Sequence, residues 1–436
     1  MPNRRQFLQT SGAVGIGYFV AAGLTAQESR SPNERVAMAS VGIDGKGQSD
    51  SSDAAHTGVM VAICDVDDNK LGAAARRHGF ERAKKYNDFR KMLDEMGKSI
   101  DAVTVSTPDH CHAPAASMAM QMGKHCFCQK PMTHTIFEAR RLGQLAREKN
   151  LATQMGNQGT ASGGLRKGAA IVKAGALGTV KEAHIWTNRP IWPQGGPRPR
   201  PENPPPYLHW DLWLGPAPVR PYGQGYHPFS WRGWWDFGTG ALGDMACHTF
   251  NLPFMALNLR DPISVQAETS GHNKDSYPKW SVIHFEFPAL GDRAAVKVVW
   301  YDGGKRPPRD LFDGRDPGGS GSLMVGDKGK LFSPGDYGDG WQLLGGASEP
   351  KVTFPNSPGH FEEWVRAIKG GKTPMSNFPD YAGPLTETML LGNLAVWVAA
   401  SGKGEKVEWD AKELKATNIA GLEPIIRMPY RQGYSL

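Results

Sequence analysis

Apolar runs of four to six residues recur through the first third of the chain, each closed by glycine, proline or a polar group. Val36-Ala37-Met38-Ala39-Ser40-Val41 ends at Gly42, and Val59-Met60-Val61-Ala62-Ile63-Cys64 ends at Asp65. Ala102-Val103-Thr104-Val105-Ser106 ends at Thr107-Pro108, and His125-Cys126-Phe127-Cys128 at Gln129-Lys130-Pro131. Runs this short, with no alternation, suit strands buried on both faces of a parallel sheet. Helical spacing separates them, from Ala113 to Met122 and again from Ile136 to Lys149. Strand and helix alternating from 35 to 155 predict a doubly wound parallel sheet of the Rossmann kind.

The pattern changes beyond residue 157. A helix is expected from Lys167 to Gly178 and a strand from Val180 to Thr187. Periodicity is then lost over 188–230. Strands return at Ile263 to Thr269, Ser281 to Phe287, Ala294 to Tyr301, Ser322 to Val325 and Lys330 to Phe332. Helices are expected from His360 to Lys369 and from Leu385 to Ala400. This predicts an α+β domain built on one large, open, mostly antiparallel sheet, whose free face would suit homo-oligomer contacts. The expected organisation is a leader and linker over 1–33, a dinucleotide-binding domain over 34–156, and a second domain over 157–436 carrying an insertion at 188–233.

Composition sharpens this picture. With 436 residues, 39 % hydrophobic and 21 % charged, the chain is neither disordered, collagenous nor a coiled coil. Five cysteines make no disulfide framework. Cys126 and Cys128 are expected to pack inside a strand, and the His/Cys spacings around 110–128 fit no structural zinc site, so no metal is expected. The net charge of +7 is dispersed without basic runs, which argues against a nucleic-acid partner. Twelve of the 33 prolines lie between Pro190 and Pro228, and seven of the 13 tryptophans between Trp186 and Trp235. Disordered segments are poor in aromatics, so the insertion is expected to be ordered and aromatic-walled. Trp213, Arg232, Trp234 and Trp235 are its candidate substrate-binding residues, because an indole face suits the C–H face of a sugar.

The first 28 residues read as targeting rather than fold. Arg4-Arg5 precedes Phe7-Leu8 and a short uncharged apolar stretch, Gly12 to Gly23. That stretch is too short to span a bilayer, so stable membrane insertion is not expected. It resembles a twin-arginine export signal and predicts an exported, periplasmic or otherwise extracytoplasmic protein.

Candidate chemistry begins at Gly42-Ile43-Asp44-Gly45-Lys46-Gly47, a glycine-rich turn directly after the first strand. Such a turn lets backbone amides approach a pyrophosphate. Asp65 closes the second strand, 18 residues after Gly47. A carboxylate there would bind ribose hydroxyls and repel a 2′-phosphate, favouring NAD over NADP. Further on, Gly240-Ala241-Leu242-Gly243-Asp244-Met245-Ala246-Cys247-His248 sets Asp244 and His248 four apart, on one face of a helix.

Strand-Thr107-Pro108-Asp109-x-x-His112, a helix, then strand-Gln129-Lys130-Pro131 resembles the Gfo/Idh/MocA oxidoreductases, as does the Asp-x-x-x-His pair. The resemblance spans roughly 34–436, with its motifs in 36–158 and 234–248. It implies that Lys130 sits beside the nicotinamide and the substrate hydroxyl, where it would stabilise an alkoxide. It also implies His248 as acid/base and Asp244 as an orienting group, these three being the catalytic candidates. The cofactor would be held by Gly42, Ile43, Gly45, Lys46, Gly47, Asp65, Thr107, Pro108, His112, Gln129, Lys130, Asn157 and Gln158. Gln129 departs from the family's usual Glu-Lys-Pro and removes a carboxylate expected to keep Lys130 cationic. Asn251 stands where relatives often carry a carboxylate.

Hydride transfer between a ring carbon of a sugar or polyol and NAD is the activity this implies. Export sharpens it, since free NAD is scarce outside the cytoplasm and the cofactor would have to be tightly held and regenerated in place. Regeneration by a second carbonyl substrate is one scheme. Redox-neutral, NAD-dependent cleavage of a glycoside is another. A sugar-binding protein that keeps the fold without turnover is a third alternative.

Overall fold

In the computed structural model, which describes residues 35–436, the apolar runs of the first third become parallel strands. They are β1 (Ala37–Val41), β2 (Val59–Cys64), β3 (Lys84–Tyr86), β4 (Ala102–Val105), β5 (His125–Cys128) and β6 (Thr153–Met155), in spatial order 3-2-1-4-5-6. Every neighbouring pair is parallel. Both faces are covered, so β4 has no exposed position, which is why its sequence shows no alternation. Strand order reverses between β1 and β4, which opens a crevice at their carboxyl ends. The proposed export segment lies outside the described residues.

Two strands and one helix of this domain carry no apolar signal. β3 is Lys-Lys-Tyr on the sheet edge and largely exposed. β6 has only three residues. The helix Lys46–Thr57 is mostly polar, and it buries Gly47, Asp50, Ser51 and Ala54 against the sheet. Two of those four buried residues are polar, so hydrophobic spacing could not reveal it.

The second sheet has nine strands: β7 (Val180–Trp186), β8 (Ser264–Thr269), β9 (Ser281–Phe287), β10 (Val296–Tyr301), β11 (Gly321–Gly326), β12 (Gly329–Pro334), β13 (Gln342–Leu344), β14 (Val407–Asp410) and β15 (Lys415–Ala416). Their order is 13-12-11-7-10-9-8-14-15. All pairings are antiparallel except β7 with β10. β9 alternates, burying Ser281, Ile283, Phe285 and Phe287. The helix Gly383–Val398 packs on β8 and β9 and against the helix Gly240–Thr249. Being covered on several sides, it is apolar nearly all round. No helix among the described residues is long and apolar enough to cross a membrane. All five cysteines are buried and free, and no group of three or more metal-ligating side chains occurs among the described residues.

The proline-rich insertion is ordered around an aromatic core. Trp210 stacks on Trp213 at 4.7 Å, and Tyr226, Trp234 and Phe237 close the cluster edge-on. It is tied to the dinucleotide-binding domain through backbone: Asp68 N donates to Tyr207 O and His209 N to Val66 O, both at 2.9 Å. His110 reinforces the joint, its Nε2 lying 2.9 Å from Trp213 O.

Candidate active site

The carboxyl ends of β1, β2, β4 and β5 open into a cavity of about 590 Å3, roofed by the insertion and by the helix Gly240–Thr249. Gly42 at φ +77° begins its floor. A Cβ on Gly42 would lie 2.6 Å from Ser106 O, and one on Gly47 2.2 Å from Gly42 O. Those two glycines are required by the packing of the turn itself. Gly45, at φ +56°, has no atom within 4 Å of such a Cβ and leaves bare backbone on the cavity at a helix N-terminus. Asp65 follows β2, and its carboxylate accepts from Ile43 N at 3.1 Å and Asp67 N at 3.0 Å. Burial outweighs these bonds and raises the Asp65 carboxyl to about 6. An open glycine at a helix start, with a carboxylate one strand away, fits the pyrophosphate and ribose of a dinucleotide.

At the other end of the cavity the helix Gly240–Thr249 presents Asp244 and His248 one turn apart. Lys130 Nζ donates to Asp244 Oδ1 at 2.9 Å and to the Asp244 carbonyl at 2.8 Å. Arg232 Nε lies 3.4 Å from Asp244 Oδ1 and Arg189 Nε 3.7 Å from Oδ2. Burial alone would raise the Asp244 carboxyl, but Lys130 and Arg232 together hold it at about 2. His248 is buried, and its Nδ1 has no hydrogen-bond partner among the described residues. Burial, then the Lys130 charge, keeps this imidazole neutral by pushing it down to about 3. Tyr337 meets the His248 ring edge-on at 5.0 Å. Asp109 also lines this end, accepts from Thr239 Oγ1 at 2.6 Å, and is raised to about 7 by burial.

Residues 12–157 match a family model described as "Oxidoreductase family, NAD-binding Rossmann fold", and residues 171–305 match "Oxidoreductase family, C-terminal alpha/beta domain". The chain belongs to the Gfo/Idh/MocA oxidoreductase family. Levoglucosan dehydrogenase of Pseudarthrobacter phenanthrenivorans is 28 % identical over 122 residues, 28 % of this chain and 30 % of that protein. A glycosyl hydrolase family 109 protein of Shewanella pealeana is 29 % identical over 159 residues, 31 % of this chain and 35 % of that protein. The matches thus span about a third of the length of these curated relatives. The WlbA dehydrogenase of Bordetella pertussis, solved with NADH and UDP-GlcNAcA, superposes with a TM-score of 0.60 at 17 % identity, covering 86 % of this chain and 99 % of that one. At that identity the likeness is one of fold.

Within this Gfo/Idh/MocA site, Gly42, Gly45, Lys46, Asp65, Thr107, Pro108, Gln129, Lys130 and Gln158 line the cavity, as do Asp244, His248, Trp213 and Arg232. Six residues expected at the ligands stand behind the wall. Ile43 points inward and only its N–H reaches Asp65. Gly47 lies under the turn. His112 is buried with its Nδ1 and Nε2 each 2.7 Å from a carbonyl, those of Pro131 and Thr107, so it braces the Lys130-Pro131 turn from below. Asn157 is buried and accepts from Ser376 Oγ at 2.5 Å. Trp234 packs in the insertion core and donates to Gly225 O at 3.0 Å, and Trp235 stacks on Tyr277 at 3.8 Å. Adjacent residues of an extended segment face opposite sides, which sends these two indoles into separate cores. Asn251 is likewise structural, donating to Thr160 Oγ1 at 2.9 Å and accepting from Tyr381.

The wall also holds residues that motif spacing does not reveal: Arg189, Trp192, Phe229, Trp231, Tyr337 and Tyr434. Trp192 and Trp231 belong to the tryptophan-rich insertion, the one signal that could have found them. Tyr434 arrives from the far end of the sequence. Its segment is fixed by Arg431 N to Pro216 O and Arg431 Nε to Gly215 O, both 3.0 Å, and by Arg90 to Gly433 O at 3.0 Å.

Proposed function

We propose that this chain is an exported, NAD-dependent oxidoreductase acting on a carbinol carbon of a sugar or polyol. One observation carries the reading: a buried neutral imidazole, His248, with an unpartnered Nδ1, lines the cavity one helical turn from the carboxylate that holds Lys130. An ammonium has three N–H donors. Asp244 takes two of Lys130's, which leaves the third for a substrate oxygen. His248 accepts the hydroxyl proton, and Lys130 stabilises the charge that develops on that oxygen. Asp244 fixes Lys130 in place. When bound, the nicotinamide supplies the hydride acceptor, and the donor in the reverse direction. Gly45, Lys46, Asp65 and Gln129 are the groups that would hold the dinucleotide, and the Asp65 carboxylate favours NAD over NADP.

The same geometry supports our reading that the cofactor is retained. Backbone bonds join the insertion to Val66–Asp68, directly after Asp65, and the C-terminal segment bridges the insertion to Arg90. Together they cover the ribose end of the cavity, which suits an exported enzyme that must keep its nicotinamide.

The similarity to a glycosyl hydrolase family 109 protein favours a second use of this site. Oxidation of a ring hydroxyl acidifies the neighbouring C–H, the aglycone leaves by elimination, water adds, and the ketone is reduced again. Purified protein is assayed without added NAD against free sugars and aryl glycosides, while mass spectrometry of the denatured protein seeks nicotinamide. Aglycone release that disappears in His248→Ala supports the glycosidase reading. Cofactor reduction by free sugars that disappears in the same variant supports the dehydrogenase. A protein that neither carries nor binds nicotinamide defeats both. Fusing residues 1–33 to a folded reporter, with and without Arg4→Lys and Arg5→Lys, tests export.

A further inference from the structure

Charges are unevenly shared along the cavity. At the dinucleotide end Asp44, Asp65 and Asp88 outnumber Lys46 and Lys70. At the Asp244 end three cations, Lys130, Arg189 and Arg232, converge on one carboxylate, all within 4 Å of its oxygens. Asp109 is the only other acid among the described residues that line that end, and it accepts from Thr239. Asp236, which precedes the helix, is taken by Arg198 and Arg220. An oxidised nicotinamide ring would add a further positive charge. Partly buried cations in surplus draw an anion into the space they share.

We propose that the substrate is an acidic sugar, a uronate or aldonate, whose carboxylate is received by Arg189 and Arg232 beside Asp244. The two guanidinium groups approach opposite oxygens of Asp244 through Nε. Arg232 Nη1 donates to Phe229 O at 3.0 Å and Arg189 Nη1 to Asn188 Oδ1, and the Nη2 of each has no hydrogen-bond partner among the described residues. Arg232 Cζ lies 4.3 Å from the centre of the Trp231 ring and 4.7 Å from that of Phe229, and with the Nη1 bond to Phe229 O these contacts hold the side chain before ligand arrives. One charge-assisted N–H from each guanidinium can meet each carboxylate oxygen, a charge complement that a neutral hydroxyl does not offer. Trp192, exposed Phe229 and Tyr337 give the same end apolar faces for the ring. The arrangement also bears on the chemistry. Lys130 and Arg189 are among the charges that keep His248 from binding a proton. A substrate carboxylate set among these cations relieves that effect and makes the imidazole a better base as the hydroxyl proton leaves.

The inference rests on the reading of this cavity as the sugar site, and the test separates the two. Matched pairs, glucose with glucuronate and galactose with galacturonate, are offered to the protein in the presence of NAD. Binding is followed by tryptophan fluorescence and turnover by absorbance of reduced nicotinamide. The expected result is at least tenfold higher kcat/KM for each uronate, carried mainly by KM. In Arg189→Gln and Arg232→Gln that ratio falls at least tenfold, with a circular dichroism spectrum like that of the parent. Uronate binding that depends on both arginines but gives no reduction keeps the acidic-sugar inference and defeats the hydride-transfer reading. Equal or better binding and turnover of the neutral partners overturns the inference and leaves that reading standing. Binding of neither kind of sugar overturns both.

Discussion

Restoring the family's usual glutamate at position 129 should harm this protein, and the size of the effect follows from geometry. Gln129 Nε2 donates to Asp50 Oδ2 at 2.9 Å, and its Oε1 accepts from Lys130 N at 3.2 Å. Both side chains are almost fully buried, at 4 % and 1 % exposure. Gly156 packs so tightly beneath that a Cβ there would lie 2.3 Å from Nε2, so residue 129 cannot move away on that side. Gln129→Glu replaces the donor with an acceptor and sets two carboxylates about 3 Å apart. Left ionised, they repel by ~5 kcal/mol at an effective dielectric constant of 20. Keeping a proton on the introduced carboxyl is cheaper, because a glutamate that ordinarily titrates near ~4.3 costs roughly 3.5 kcal/mol to protonate at pH 7 and about 1 kcal/mol at pH 5. Protonated, it donates to Asp50 as the amide did. The folded state then binds a proton the unfolded chain has lost, so the variant's stability falls as pH rises above about 4.3. Urea denaturation of parent and variant should show a loss of roughly 3 kcal/mol at pH 7 that shrinks to about 1 kcal/mol at pH 5. Adding Asp50→Asn should recover most of it. A loss equal at both pH values, or no rescue by Asp50→Asn, would refute the reasoning.

Other consequences are as direct. Asp109, raised to about 7 in the fold against ~3.9 unfolded, gives stability that is full below pH 4 and lost as pH rises to 7. Asp109→Asn should flatten that slope, which amounts to about 4 kcal/mol at most, in denaturation midpoints taken across the range. The three turn glycines should behave differently. Gly42→Ala and Gly47→Ala drive a methyl into backbone at 2.6 Å and 2.2 Å and should abolish soluble expression. Gly45→Ala meets open space, costs roughly 1–2 kcal/mol for its left-handed backbone, and should fold but bind NAD more weakly by calorimetry. Ending the chain at Tyr430 removes Tyr434 and the Arg431 anchors. Nicotinamide should then be lost on gel filtration about fivefold faster, the worth of one aromatic contact of ~1 kcal/mol. Unchanged loss would show that the segment does not close the cavity.

The parallel sheet was legible because burial on both faces writes unbroken apolar runs, and the helix Gly240–Thr249 because Asp244 and His248 keep one face. The helix Lys46–Thr57 was hidden because what it buries is small or polar, and β3 because it is a short exposed edge. The tryptophan count located the aromatic insertion but could not say which indoles face the cavity. That depends on which side of each loop the chain turns, so Trp192 and Trp231 line it while Trp234 and Trp235 do not. Arg189 and Tyr434 reach the site through tertiary contacts alone, and no local pattern marks them.

Gln129 shows how a motif departure can mislead when it is read by itself. In the sequence, Gln-Lys-Pro loses a carboxylate that should have served Lys130. In the fold, Lys130 takes its carboxylate from Asp244, 114 positions away. The acid beside residue 129 is Asp50, which also accepts from Lys46 at 2.8 Å and from Ser106 at 2.8 Å. With Asp50 already buried there, an amide is the side chain that can both donate to it and accept from the Lys130 N–H. The carboxylate beside position 129 stands on the helix that follows the glycine turn, and the amide at 129 is matched to it. The departure therefore gives no ground for reading this chain as a fold that has lost its chemistry. The pair Asp50–Gln129 couples the dinucleotide turn to the strand that ends in Lys130, so disturbing either residue should be felt both in cofactor binding and in the placement of Lys130.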